Sequence, residues 1–260
     1  MSARVRKVLG GALVVGVALL VRVGGTTAPR APQPIGVSGS WRLILDDEFD
    51  GSSLAGSRFE TGWRSGSASN VGITQGVNPG EVDCDDPRQV TVAHGELDLT
   101  LIAKKETCGG RTHRYASGIV TTDHTFSYTY GFAEARMWLP GGANTIADWP
   151  AFWTDGQHWP RDGEQDIFEG IDGVACWHFH DASGAPGSCA YGKTFTGGWH
   201  TFGADWEPGS VTYYYDGKLV GRITSGITGA PMYLILGLAP GDPVVAPATE
   251  RVDYVRVWQR

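Results

Sequence analysis

The chain is poor in cations. Its 21 Lys and Arg stand against 28 Asp and Glu, a net charge of −7, and the basic residues form no stripe or run. That argues against nucleic acid as a partner and describes a mildly acidic, soluble surface. Long apolar runs are missing too. The longest, residues 8–21, has 14 residues and ends at Arg22, short of the roughly 20 that a membrane-spanning helix needs. The four cysteines, Cys84, Cys108, Cys176 and Cys189, contain no C-x-x-C pair, which disfavours a zinc site. Amphipathic helical periodicity is absent beyond the N-terminus.

What is present reads as an exported all-β domain. Arg4, Arg6 and Lys7 precede the apolar run, and Thr26-Thr27-Ala28 offers small residues for cleavage. Residues 1–28 are therefore expected to be a signal peptide, with an uncleaved anchor as the alternative. Residues 29–40, rich in Pro, Ser and Gly, are expected to be a linker. Residues 41–260 are expected to be one domain, long enough to bury a substantial core. The product is then secreted, free of the membrane once the signal is removed, and expected to be a monomer. An even cysteine count in an exported chain suggests two disulfides. Of the three pairings, proximity favours Cys84–Cys108 and Cys176–Cys189, and the sequence leaves the choice open.

Strand-type alternation runs almost throughout the domain. In residues 96–103, Leu97, Leu99 and Leu101 share one face. Further strands are expected over 118–122, 125–130, 132–138, 151–154, 165–168, 200–206, 211–215, 219–223, 232–238 and 252–258. Asp216-Gly217, between two alternating runs, is a hairpin turn signal. About a dozen short strands without an amphipathic helix indicate an antiparallel β-sandwich of the jelly-roll, concanavalin-like kind, with an open substrate cleft on its concave sheet.

The chemistry is concentrated in residues 163–172, GEQDIFEGID. Glu164, Asp166 and Glu169 stand inside a run that otherwise reads as a buried strand, where ionised carboxylates are costly unless they are paired, bind metal or move protons. Side chains alternate along a strand, so Glu164 and Asp166 share a face and Glu169 takes the other. A single β-bulge at Ile167–Phe168 would bring all three to one face. The two glutamates would then lie roughly 13 Å apart at Cα, at ~3.3 Å per residue. Side chains leaning together can close that to the ~5–5.5 Å of a retaining glycosidase. An exposed edge strand or part of a calcium site is the rival reading of such a string. The aromatic surroundings favour a polysaccharide cleft: Trp149 and Trp153 precede the acids, and Trp159, Trp177, His178 and His180 lie close by in sequence.

GEQDIFE resembles the signature of glycoside hydrolase family 16 in its bulged E-x-D-x-x-E form, typical of laminarinase-like endo-β-glucanases. The likeness continues in LDDEFDG (45–51), YASGIVTT (115–122), GFAEARMWLP (131–140), WPAFW (149–153), WHTFGADWEPGSVTYYYDGKLV (199–220) and VDYVRVWQ (252–259). These blocks follow the family's order across nearly all of the domain. The resemblance implies a jelly-roll sandwich and retaining hydrolysis of β-1,3- or mixed β-1,3-1,4-glucan. It implies Glu164 as nucleophile, Glu169 as acid/base and Asp166 as the assisting carboxylate. It also implies Trp149 and Trp153 at glycone subsites and His180 near the acid/base. Arg136 and Glu81 are expected at the groove, Arg136 to bind sugar hydroxyls or pair with an acid. No cofactor is expected for catalysis. The resemblance also implies a structural calcium on the convex face, held by Asp253 with backbone carbonyls, with Glu48 a further candidate. Gln165 stands where the family commonly has Ile, and is expected to face away from the cleft. The loop 140–150 and the cysteine pair after the motif also depart from the family and bear on linkage specificity. A cell-wall transglycosylase and a non-catalytic glycan-binding module on the same fold are the alternatives.

Overall fold

The computed structural model describes residues 31–63, 72–190 and 194–260. The signal peptide expected over 1–28 and the first two positions of the expected linker lie outside the described residues. In chain order the strands are β1 (Arg42–Asp47), β2 (Glu60–Thr61), β3 (Thr74–Gln75), β4 (Asp83–Asp85), β5 (Val90–Ala93), β6 (Glu96–Cys108), β7 (Arg111–Ser117), β8 (Ile119–Thr121), β9 (Gly131–Leu139), β10 (Gly141–Gly142), β11 (Thr145–Ile146), β12 (Trp149–Gly156), β13 (Glu164–Ile171), β14 (Val174–His180), β15 (Gly187–Ala190), β16 (Gly198–Glu207), β17 (Ser210–Tyr215), β18 (Lys218–Ile223), β19 (Met232–Ala239) and β20 (Ala248–Gln259). A 3₁₀ turn at Pro87–Gln89 is the one helical element among the described residues.

Two large sheets face each other. A seven-stranded sheet runs β15-β14-β13-β12-β19-β8-β2. An eleven-stranded sheet runs β18-β17-β16-β9-β20-β6-β7-β4-β3, with β1 added on β20 and β5 on β6. Every pairing is antiparallel except β4 with β7. The leucines that alternate along β6 point between the sheets, as their spacing requires. Leu97, Leu99 and Leu101 are fully buried there with Phe152 of β12, Phe168 of β13 and Phe202 of β16. Phe168 and Phe202 stack across the interface with centroids 3.9 Å apart. The expected β-sandwich is therefore the observed one.

Differences from the expected strands have local causes. Residues 125–130 form no strand. Thr125 and Phe126 donate back to the Thr122 carbonyl, so the backbone turns there, and Tyr128 makes a single bridge to Met232. The strands β7, β14 and β15 were not expected, and β14 proves important to the site. The Asp216-Gly217 turn has positive φ at both residues (47° and 69°), the geometry that lets strands β17 and β18 fold back without splaying. The expected linker is not free of the domain over 32–40. Ile35 donates its backbone N–H to Glu134 (2.9 Å), and Trp258 donates its indole N–H to the Pro32 carbonyl (2.9 Å). Both disulfides favoured by proximity are present, Cys84–Cys108 and Cys176–Cys189.

The irregularity that matters lies in β13. Against β12 the register runs Phe152 to Phe168 and then Trp153 to Asp166, passing over Ile167. Against β14 it runs Asp166 to His178 and then Glu169 to Cys176. Two residues of β13, Ile167 and Phe168, thus oppose one of β14. Both turn inward and are fully buried. The Tyr215 hydroxyl, reaching across from β17, lies 3.1 Å from the Ile167 carbonyl and 2.7 Å from the Cys176 carbonyl, and its one hydrogen serves both. A carbonyl displaced from the ladder by a bulge is thereby satisfied from the opposite sheet. Removing that hydroxyl in Tyr215→Phe leaves buried acceptors without this donor, and is expected to cost about 1–3 kcal/mol. Urea unfolding measures it, and an unchanged midpoint would show that the bulge does not need the bond.

Candidate active site

Alternation along β13 explains which side chains reach the outer face of the seven-stranded sheet. Glu164 and Asp166 point outward, and Gln165 between them points inward and is fully buried. Without the bulge Glu169 would follow Gln165 into the core. With the bulge it emerges beside the other two acids, and all three line one cleft together with Trp149 and Trp153 of β12. The floor is apolar: Ile119, Ala151, Trp153, Tyr233 and Ile235 form a cluster on this face, with Trp149 packed against it. Beyond Trp149 the cleft opens into a hollow of about 910 Å³ bordered by Glu81, Arg114, Asp148 and the loop 240–245. Asp148, held at φ 58°, accepts from the backbone N–H groups of Gly241 and Val245 (3.2 and 3.0 Å) and so fixes that loop.

Each acid has its own neighbours. Trp159 donates its indole N–H to Glu164. Trp149 donates its indole N–H to Glu169 Oε1 (3.1 Å), and His178 Nδ1 lies 2.9 Å from Glu169 Oε2. His180 Nε2 approaches Asp166 Oδ2 to 2.9 Å but is not aligned on it as a hydrogen bond. One oxygen each of Glu164 and Asp166 and a ring nitrogen of His180 lie within 4.8 Å of one another. The same holds for Asp166, Glu169 and His178, so Asp166 sits between the two glutamates. Burial, followed by the charges of Glu169 and Glu164, pushes Asp166 well above the ordinary carboxyl range. Both causes oppose its ionisation. Burial also raises Glu164, against the opposing pull of His180 and the Trp159 hydrogen bond.

The other expected site residues divide clearly. Trp149, Trp153 and Glu81 line the cleft, and Glu81 is held by the backbone N–H and side-chain amide of Asn78 (3.0 and 2.8 Å). His180 is at the acids, beside Asp166 and Glu164; the histidine that touches Glu169 is His178. Arg136 is not in the cleft. It belongs to β9, in the other sheet, where it pairs with Asp253 at 2.8 Å and covers the Trp199 ring at 4.4 Å. The expected neighbourhood failed because β9 precedes the acidic strand in sequence but pairs with β16 and β20 in space. The two acids expected to hold calcium each have an arginine partner. Asp253 is bound by Arg136, and Glu48 is bound by Arg256 at 2.9 Å. Among the described residues neither belongs to a group of three or more His, Cys, Asp or Glu side chains spaced to hold a metal ion.

Three groups at the site escaped the reading of single residues. His178 and Trp159 were visible only as members of an aromatic cluster. The His-x-His spacing on a strand places both imidazoles on one face, which is the signal that could have found them. Asp155, the β12 residue opposite Glu164, is buried with Oδ1 unpartnered. Nothing in its local sequence sets it apart.

Comparison with known proteins agrees with this geometry. The family model described as glycosyl hydrolases family 16 matches residues 81–257. A glucan endo-1,3-beta-glucosidase A1 from Niallia circulans is 29% identical over 84% of this chain and 38% of its own length. A glucan endo-1,3-beta-glucosidase from Cryptopygus antarcticus is 29% identical over 85% of this chain and 93% of its own length. The solved catalytic domain of an endo-1,3-beta-glucanase (laminarinase) from Thermotoga petrophila superposes with a TM-score of 0.71 at 24% identity, covering 85% of this chain and 98% of that one, and shows the shared fold. The chain spans only about two fifths of the length of the first curated relatives it matches.

Asp155 gives the site a measurable pH signature. Burial, then the charge of Glu164, raises it from 3.8 to about 8. A carboxyl raised on folding stabilises the fold below its unfolded value, and that contribution is lost as pH rises through its folded value. Stability from this group therefore falls between pH 3.8 and about 8. Asp155→Asn removes this part of the slope, so the variant gains on the wild type as pH rises across that window. Melting curves at several pH values measure the difference, and parallel curves would contradict it.

Proposed function

This chain belongs to glycosyl hydrolase family 16, and on that footing we propose that it is a secreted, retaining endo-glycosidase that cleaves β-1,3- or mixed β-1,3-1,4-glucan. The observation that carries the reading is the bulge in β13, which turns Glu164 and Glu169 into one cleft with Asp166 between them. In the first step Glu169 gives its proton to the glycosidic oxygen, the bond from that oxygen to the anomeric carbon breaks, and a Glu164 oxygen bonds to that carbon. In the second step Glu169 takes a proton from water, the water oxygen bonds to the anomeric carbon, and the ester to Glu164 breaks. The N–H of Trp159 keeps Glu164 in place as a carboxylate acceptor. Asp166, neutral and wedged between them, separates two like charges and can donate to whichever glutamate is ionised. Nucleophile, acid and base are all side chains of this chain, so the reading calls for no cofactor.

The cleft supports a neutral glucan in particular. Trp149 and Trp153 offer faces for sugar rings, and the three acids are joined by Glu81 and Asp85, with no lysine or arginine among the described residues lining this part of the cleft; Arg114 borders the hollow beyond Trp149. Sulfated or uronic chains would meet like charge there. Export agrees with the two disulfides. The activity resembles that named for the Niallia circulans and Cryptopygus antarcticus relatives.

Glu164→Ala is expected to abolish release of reducing sugar from laminarin, and Glu169→Ala to slow it by about 10²–10⁴, both with an unchanged melting temperature. Wild-type rates in either would refute the assignment. Proton NMR of the first product should show the β-anomer, and mass spectrometry should show hydrolysed rather than re-joined chains; an α-anomer or transferred products would point to another reaction. Laminarin or lichenan should be cut and carrageenan left intact.

A further inference from the structure

We infer that His178 is a positioning residue for the acid/base, directing the proton of Glu169 toward the scissile oxygen. The inference rests on the reading of Glu169 given above. Both Glu169 oxygens are engaged: Oε1 by the Trp149 indole N–H at 3.1 Å, and Oε2 by His178 Nδ1 at 2.9 Å. An indole nitrogen can only donate, so Oε1 is held as an acceptor, and we place the acid proton on Oε2. In its Nδ1–H tautomer His178 donates to that same Oε2. The hydroxyl hydrogen then cannot point at the ring and takes the free side of the oxygen, facing the cleft. When the proton leaves for the glycosidic oxygen, Glu169 becomes a carboxylate with an N–H already aimed at each oxygen. Both bonds become charge-assisted and strengthen as the transition state develops.

The surrounding strands hold the imidazole in this attitude. His178 stands opposite Asp166 in the β13–β14 ladder and opposite Gly187 in the β14–β15 ladder. A Cβ at Gly187 would lie 2.1 Å from His178 Cδ2, so the absence of a side chain there is what leaves room for the ring. The edge strand β15 that supplies this floor is tied to β14 by the Cys176–Cys189 disulfide, two ladder pairs away. On the other side of β14, the Tyr213 hydroxyl donates to the His178 carbonyl at 2.8 Å. The side chain is 23% exposed, so it is neither core filling nor free surface.

The role is separated from a structural one by the leaving group. Departure of a sugar hydroxyl needs the proton of Glu169, whereas departure of 2,4-dinitrophenolate does not. His178→Ala is expected to lower kcat/KM on laminarin by about 10- to 100-fold, mainly through kcat, while 2,4-dinitrophenyl β-laminaribioside keeps nearly all of its kcat/KM. His178→Asn, which returns an N–H near the position of Nδ1, is expected to recover much of the laminarin rate. An equal loss on both substrates, or no loss on laminarin, would overturn the proposal. Glu169→Gln serves as the control: if it too spares only the activated substrate, the acid/base reading stands whatever His178 does. If it leaves laminarin turnover intact, that reading itself fails.

Discussion

One extra residue in a strand governs this protein. A regular β13 would send Glu169 into the sandwich interior on the same face as Gln165, among the apolar side chains of the core, and would turn Phe168 out to the cleft face. The insertion at Ile167–Phe168 instead sends two apolar side chains inward in succession and returns the acid to the open face. Bulges disturb the ladder and leave a backbone group unpaired. Here the opposite sheet answers that need through the Tyr215 hydroxyl, and the stacked Phe168–Phe202 pair fills the space beneath. The site therefore depends on the packing of the two sheets together, and not on the seven-stranded sheet alone.

That geometry creates an electrostatic problem that the surroundings are built to manage. Glu164, Asp166 and Glu169 share one small space, with Asp155 opposite Glu164 in the ladder and Glu81 and Asp85 along the wall. So many carboxylates cannot all be ionised at such distances. Burial and mutual repulsion oppose ionisation of the most enclosed ones and push Asp166 well above the ordinary carboxyl range. The nitrogens that do reach the site, from Trp149, Trp159, His178 and His180, attach to particular oxygens. Donors fixed in place define which oxygen accepts and where a proton can sit, which is the arrangement acid/base chemistry on a sugar bond requires.

The other sheet uses charge differently. Its outer surface carries Arg136 with Asp253, Arg251 with Glu96, and Arg256 with Asp46 and Glu48. Several of these guanidinium groups also lie over aromatic rings, Arg136 over Trp199 and Arg251 over Trp138. Acids that look available in the sequence are neutralised there by cations from neighbouring strands. Among the described residues, those lining the cleft around the three acids include no arginine, and Arg114 stands at the hollow beyond Trp149.

Alternating leucines, the Asp-Gly turn and the shortage of helical patterning were enough to specify an antiparallel sandwich, because strand periodicity and turn chemistry are local properties of the chain. The acidic motif was legible for a related reason. Three carboxylates in an apolar strand are costly unless they share a face, and only a bulge at Ile167–Phe168 lets them. Long-range pairing was not legible. Whether β9 lies beside β13 or in the opposite sheet depends on contacts between residues far apart in sequence, and so Arg136 was expected in the wrong place. The same limit hid His178 and Asp155. Their meaning comes from the strand that each one faces, and register across a sheet is fixed by how both faces pack, which no local stretch of sequence contains.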